Sequence, residues 1–226
     1  RRIIMAKLLK VLVAYDGSPQ SKDALHWAIY ASHHSGSLIT AVKVSEPLLR
    51  ESMINEIGVL PDNFAHYEKQ RRGVMQLMDD VKEFGKTHGI EITTEILSGH
   101  PAKAILNYAA EHDIGLIITG TKGKGALQQL LLGSVTRSLV SLSHVPVLVV
   151  KNCPVVDFTG GSLIMATLRN ILVAYDGSAS SKKALKWAIS VAKPVGAQVN
   201  ALKVREPIHL MEAYSIAESG SAKRMM

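Results

Sequence analysis

The sequence predicts an α/β fold: a doubly wound, parallel five-stranded sheet, followed by part of a second copy of the same unit. Three observations carry this. Short apolar runs rich in β-branched residues alternate with longer stretches of helical spacing, the pattern of strands covered on both faces and joined by crossover helices. Turn and capping residues stand directly after those runs. The segment Ile4–Pro47 also recurs without a gap as Ile164–Pro207, with 24 of 44 positions identical. Such identity marks a duplication rather than one large domain.

Taken in order, Leu8–Asp16 ("LLKVLVAYD") is the first strand. A helix follows, with Ser18 as its cap, Pro19 in its first turn and Ala24, Leu25, Ala28 and Ile29 at helical spacing. Gly36 ends it, and Ser37–Val44 is the second strand. After Pro61, the polar stretch Asn63–Gly89 reads as helix and Ile90–Leu97 alternates as a strand. His100–Asp113 is the next helix, with Pro101 near its start, and Ile114–Thr119 is a buried strand. Beyond a glycine-rich loop, Ser134–Ser143 is a helix and Val145–Lys151 the last strand.

The predicted organisation is a complete unit over 4–151, a linker over 152–163 containing Pro154, Asp157 and Gly160-Gly161, and a partial repeat over 164–226. After Pro207 only the residues up to Met226 follow, so the second copy carries no counterpart of Leu48–Lys151.

Of the 226 residues 47% are hydrophobic and 5% aromatic, enough to build a full core. Cys153, in the linker, is the one cysteine and reads as an inert thiol in a reducing compartment. No run reaches the roughly 18 apolar residues of a membrane span, so the expectation is a soluble, cytoplasmic protein. The net charge of +7 is spread over scattered lysines without interleaved aromatics, which argues against nucleic acid. The nine histidines show no metal-ligand spacing. Asp16 and Ser18 have no histidine in a triad-like order, so no catalytic residue is assigned.

In a doubly wound sheet, ligands bind beyond the carboxyl ends of the strands. Three pieces lie there: Asp16-Gly17-Ser18, the stretch around Val44, and the loop "GTKGKGALQQLLLGS" (Gly120–Ser134). At Gly120 and Gly123 a side chain would block the approach of backbone to a ligand. Gly133-Ser134 opens a helix, whose free N–H groups and the Ser134 hydroxyl suit an anion. Lys122 and Lys124 add positive charge, and Asp16 is placed to accept hydrogen bonds from a ribose or base edge. The Walker pattern is absent, and "GTKGKG" follows the wrong strand for a dinucleotide fingerprint.

Together "VAYDGS" (Val13–Ser18), "GHPAKAIL" (Gly99–Leu106) and "GTKGKGALQQLLLGS…VPVLVV" (Gly120–Val150) resemble the universal stress protein family. The loop matches the G-x2-G-x9-G-[ST] pattern of its ATP-binding branch. The resemblance implies an adenine nucleotide alpha hydrolase-like sheet of order 3-2-1-4-5. It places adenine near Asp16 and Val44, phosphates on Gly123, Gly133, Ser134 and Val135, and Thr119 and Gly120 against the nucleotide. It also implies a homodimer through the last strand. Mg²⁺ can accompany ATP.

The expected function is thus an ATP-binding sensor or switch in stress response. With no general base or arginine finger to name, hydrolysis is slow or absent, at most a weak ATPase activity. Two alternatives stay open: an ATP-hydrolysing or adenylyl-transferring enzyme on the same fold, and a dimerisation module with a vestigial loop. The second copy keeps Asp176, Ser178 and Val204 but lacks the loop, so one ATP site per chain is expected.

Overall fold

Apolar residues at successive positions, as around Val11 and Ile117, need cover on both faces of their strands. The computed structural model describes residues 9–45, 64–123, 132–151 and 169–204, in two compact units, Arg1–Ala166 and Thr167–Met226. The first runs β1 (Lys10–Ala14), α1 (Pro19–Ser35), β2 (Leu38–Ser45), α2 (Phe64–Thr87) and β3 (Ile92–Ser98). It continues with α3 (Pro101–Glu111), β4 (Leu116–Gly120), α4 (Ser134–Leu142) and β5 (Val147–Val150). The strands form one parallel sheet of order β3-β2-β1-β4-β5. This is the fold class that the sequence predicts.

β1 is flanked on both edges, Val11–Ala14 pairing with Ile39–Val42 and with Leu116–Thr119. On one face Leu12, Val42 and Ile117 pack with Ile105 and Ala109 of α3 and Leu139 of α4. Fully burying each of the larger side chains is worth about 1.5–3 kcal/mol. The edge strand β3 buries Ile92 and half-buries Thr94 and Leu97, with Leu97 packed against the cluster that holds Ile105 and Ala109.

Ser18 caps α1: its hydroxyl accepts the Ser21 N–H at 3.2 Å, and Pro19 supplies the preset φ of the first turn. Gly36, left-handed at φ 68°, closes the helix through its N–H to Ser32 O. The strands start one or two residues later than expected, and for β3 and β4 the cause is visible. Ile90 N–H bonds back to Gly85 O and Ile114 N–H to Ala109 O, so these residues close helices instead of opening β3 and β4. The linker 152–163, Cys153, Lys124 and the tail beyond Val204 lie outside the described residues.

The second unit repeats the opening of the first: β6 (Asn170–Ala174), α5 (Ala179–Val195) and β7 (Gln198–Leu202), with β6 and β7 pairing in parallel. Ser178 caps α5 through Ser181 N–H at 3.1 Å, as Ser18 caps α1. Burial repeats only in part: Val173 and Ala188 are buried like Val13 and Ala28, other equivalent positions are not. Leu172 is 68% exposed where Leu12, at the same repeat position, is at 0%; Leu202 and Ile189 are exposed where Val42 and Ile29 are buried. Among the described residues the second unit has a two-stranded sheet and one helix, with no strand in the place of β4 to cover these side chains.

Candidate functional site

Sheet order reverses beside β1: the chain leaves it toward β2 and returns to its other edge as β4. A cleft of about 530 Å³ opens at the carboxyl ends of these strands, the position expected for a ligand in such a sheet. It is lined by Asp16, Val44, Thr119, Gly120, Lys122, Gly123, Gly133, Ser134 and Val135 among others.

The strand end of the cleft arises from a difference in strand length. β1 stops pairing at Ala14, and its last bond to β2 is Tyr15 N–H to Val42 O at 2.9 Å. β2 continues beside β3 as far as Ser45. Backbone groups of alternate residues face the same neighbour in a strand. Val44, two residues beyond Val42, therefore turns its N–H and C=O toward the space that β1 has left. Apolar walls come from Val42, Pro101 and Ile105. Tyr15 also borders the cleft, and burial, reinforced by Asp16 and Asp80, raises its phenol above the usual value.

Asp16 is held by a turn. Its Oδ1 accepts the Ser18 N–H at 2.9 Å, the local side-chain-to-backbone bond typical of Asp before a helix. Its Oδ2 faces Gly123: a Cβ added there would lie 2.5 Å from that oxygen. The second unit has the same turn, Asp176 Oδ1 to Ser178 N–H at 2.9 Å. There, hydrogen bonds from Ser178 and then Ser181 hold the carboxyl well below the usual carboxylate range.

At the other end, α4 begins at Ser134 with Gly133 as its N-cap and no side-chain cap. The leading N–H groups of a helix so capped, together with its dipole, favour an anion. Gly133 N–H itself is used, bonding Thr121 O at 2.8 Å and drawing the two ends of the loop together.

Two expected residues take different places. Ser18 is 2% exposed and does not line the cleft; its hydroxyl caps α1 and lies 3.4 Å from Lys122 O. Gly120 lines the cleft, yet its missing side chain makes room for the protein: a Cβ would lie 2.6 Å from the Gln20 backbone of α1. Sequence reasoning missed Thr136, Pro101 and Ile105. For two of them the signal is positional: Thr136 is the third residue of the helix capped by Gly133, and Pro101 opens the helix that follows the carboxyl end of β3. Among the described residues no cluster of His, Cys, Asp or Glu is arranged to hold a metal. No helix among them is long and apolar enough to cross a membrane.

The model of the universal stress protein family matches residues 8–151 and again 167–224. The chain belongs to this family. It is 32% identical over 146 residues to universal stress protein YxiE of Bacillus subtilis, covering 63% of this chain and 98% of that protein. A universal stress protein of Mycolicibacterium smegmatis is 27% identical over 199 residues, 86% of this chain, which spans 63% of that relative's length. Among solved structures, a universal stress protein from Archaeoglobus fulgidus aligns over 96% of this chain and 75% of its own at 20% identity, with a TM-score of 0.64. The two matches fall on the two copies of the repeated segment, the second over the shorter range.

Proposed function

We propose that the first unit binds an adenine nucleotide, ATP in the first instance, and acts as a nucleotide-dependent switch. The observation that carries this reading is the division of one cleft into two chemistries. One end has apolar walls and the backbone N–H and C=O of Val44, a donor and an acceptor that suit the edge of a base. The other has Gly123, Lys122 and the uncapped start of α4, which suit phosphates. The volume of about 530 Å³ is within the range of small-molecule sites. Asp16 lines the same cleft and faces Gly123, where its carboxylate would accept hydrogen bonds from a ribose or base edge. Thr119, Gly120, Gly133, Ser134 and Val135 complete the lining.

ATP supplies the switch its triphosphate, with Mg²⁺ as its counterion; this chain supplies binding and orientation. Asp16 is the acid at the cleft, and its Oδ1 is engaged by Ser18 N–H, which favours slow turnover over rapid hydrolysis. The exposed Val140 and Leu142 of α4, beside the edge strand β5, support pairing of two copies through that edge. Cytoplasmic location belongs to the same reading.

Calorimetric titration with ATP tests the proposal, with mass spectrometry of nucleotide carried through purification. Saturable binding is expected. No heat at millimolar ATP and no carried nucleotide would exclude it and favour the dimerisation module. Phosphate or pyrophosphate release at enzymatic rates would favour the catalytic alternative.

A further inference from the structure

Three successive carbonyls at the neck of the glycine loop are each held by a different donor. Gly120 O accepts the Thr136 hydroxyl at 2.8 Å, Thr121 O the Gly133 N–H at 2.8 Å, and Lys122 O the Ser18 hydroxyl at 3.4 Å. Thr119 Oγ1 also reaches Gly120 O at 3.2 Å and lies 3.5 Å from Thr136 Oγ1. Thr119 and Thr136 are both buried, where a hydroxyl is costly unless it is bonded. No peptide here is cis, and across a trans peptide a carbonyl opposes the following N–H. Holding these carbonyls therefore turns the N–H groups of Thr121, Lys122 and Gly123 away from the three donors.

We infer that Thr136 is a positioning residue for the phosphate end of the cleft, its hydroxyl fixing the first turn of α4 to the end of β4 before any ligand arrives. The inference rests on the nucleotide reading and deepens it. β4 carries Thr119 and Gly120, and α4 carries the N–H groups that face an anion, so this hydrogen bond, together with Gly133 N–H to Thr121 O, sets the spacing between them. Valine is nearly isosteric with threonine but cannot donate. It leaves Gly120 O to the longer Thr119 bond and frees α4 to shift by the few tenths of an ångström that a charged ligand detects.

The experiment compares ATP and adenosine binding by calorimetry in wild type, Thr136→Val and Thr136→Ser. Thr136→Val is expected to weaken ATP about ten-fold, the usual consequence of misplacing charge-assisted hydrogen bonds, with adenosine changed less than two-fold. Thr136→Ser, which keeps the donor, is expected to restore ATP affinity. Equal losses for ATP and adenosine, or no loss, overturn the inference while the nucleotide reading stands. A wild type that binds neither ligand overturns both. If Thr136→Val does not fold, Thr136→Ala carries the same comparison.

Discussion

Asp16 and Gly123 meet across the mouth of the cleft: a Cβ on the glycine would lie 2.5 Å from Asp16 Oδ2. A larger residue at 123 must push either the carboxylate or the loop out of place. Gly123 is exposed, so the core has little to lose. Gly123→Val is expected to weaken ATP binding at least ten-fold with a nearly unchanged melting temperature, measured by calorimetry and thermal unfolding.

Gly120 should behave in the opposite way. Its virtual Cβ meets Gln20 backbone atoms at 2.6 Å, and helix backbone cannot swing aside as a side chain can. Gly120→Ala forces β4 away from the first turn of α1, an overpacking cost of about 1–3 kcal/mol. Denaturant unfolding should show it as a lower midpoint without added nucleotide. A Gly120→Ala variant of native stability that has lost only binding would refute this division of roles.

The contrast between these two glycines shows what was legible in the sequence. Strands and helices were, because β-branched runs, the Ser18 cap, Pro19 and Gly36 are local signals. Placement of Asp16, Val44 and the loop at one end of the sheet followed from the alternation alone. Strand starts were not legible, because whether Ile90 opens β3 or closes α2 depends on a bond to Gly85 O. Neither was the constraint on Gly120, which comes from Gln20, far away in the chain. Ser18 reads as part of a binding motif because it follows Asp16, yet the same position makes it a cap. Thr136 carries no motif; its partner Gly120 O is brought to it by the docking of α4 on β4.

The repeat provides a test of burial at constant sequence. Leu12 and Leu172 occupy equivalent strand positions, one at 0% and the other at 68% exposure. Leu12→Ala leaves a cavity between Ile117, Ile105 and Leu139 and should cost about 2–5 kcal/mol. Leu172→Ala removes a side chain that already meets water, so a change within about 0.5 kcal/mol is expected. Comparable losses from the two substitutions, by denaturant unfolding of the whole chain, would show that Leu172 is covered in solution.

His26 links the fold to pH. Its ring lies 5.1 Å from that of Phe84, which is 4.3 Å from the ring of His88. Burial lowers the His26 pKa from its ordinary value; His88 and Lys22 push the same way, and Asp23 opposes them. A histidine with a lowered folded-state pKa favours the fold in its neutral form. Its contribution is whole above the unfolded value of about 6.5 and is lost as pH falls through that value toward the lower folded one. Wild type should therefore lose more stability between pH 7 and pH 5 than His26→Leu, measured as the shift in urea midpoint. Parallel pH profiles would show that His26 is solvated.

Asp16 and Asp176 separate a turn from a site. Both carboxylates accept the N–H two residues on at 2.9 Å, ahead of a serine-capped helix. Replacing either with alanine removes the same local bond, so each should cost a similar, small amount of stability. Asp16 faces a loop glycine and a cleft. In the second unit, Val204 stands at the position of Val44 and is 81% exposed. Calorimetry should give one nucleotide per chain, about ten-fold weaker binding for Asp16→Ala, and wild-type binding for Asp176→Ala. Two nucleotides per chain, or an equal effect of the two alanines, would mean that the second unit forms a site without the glycine loop.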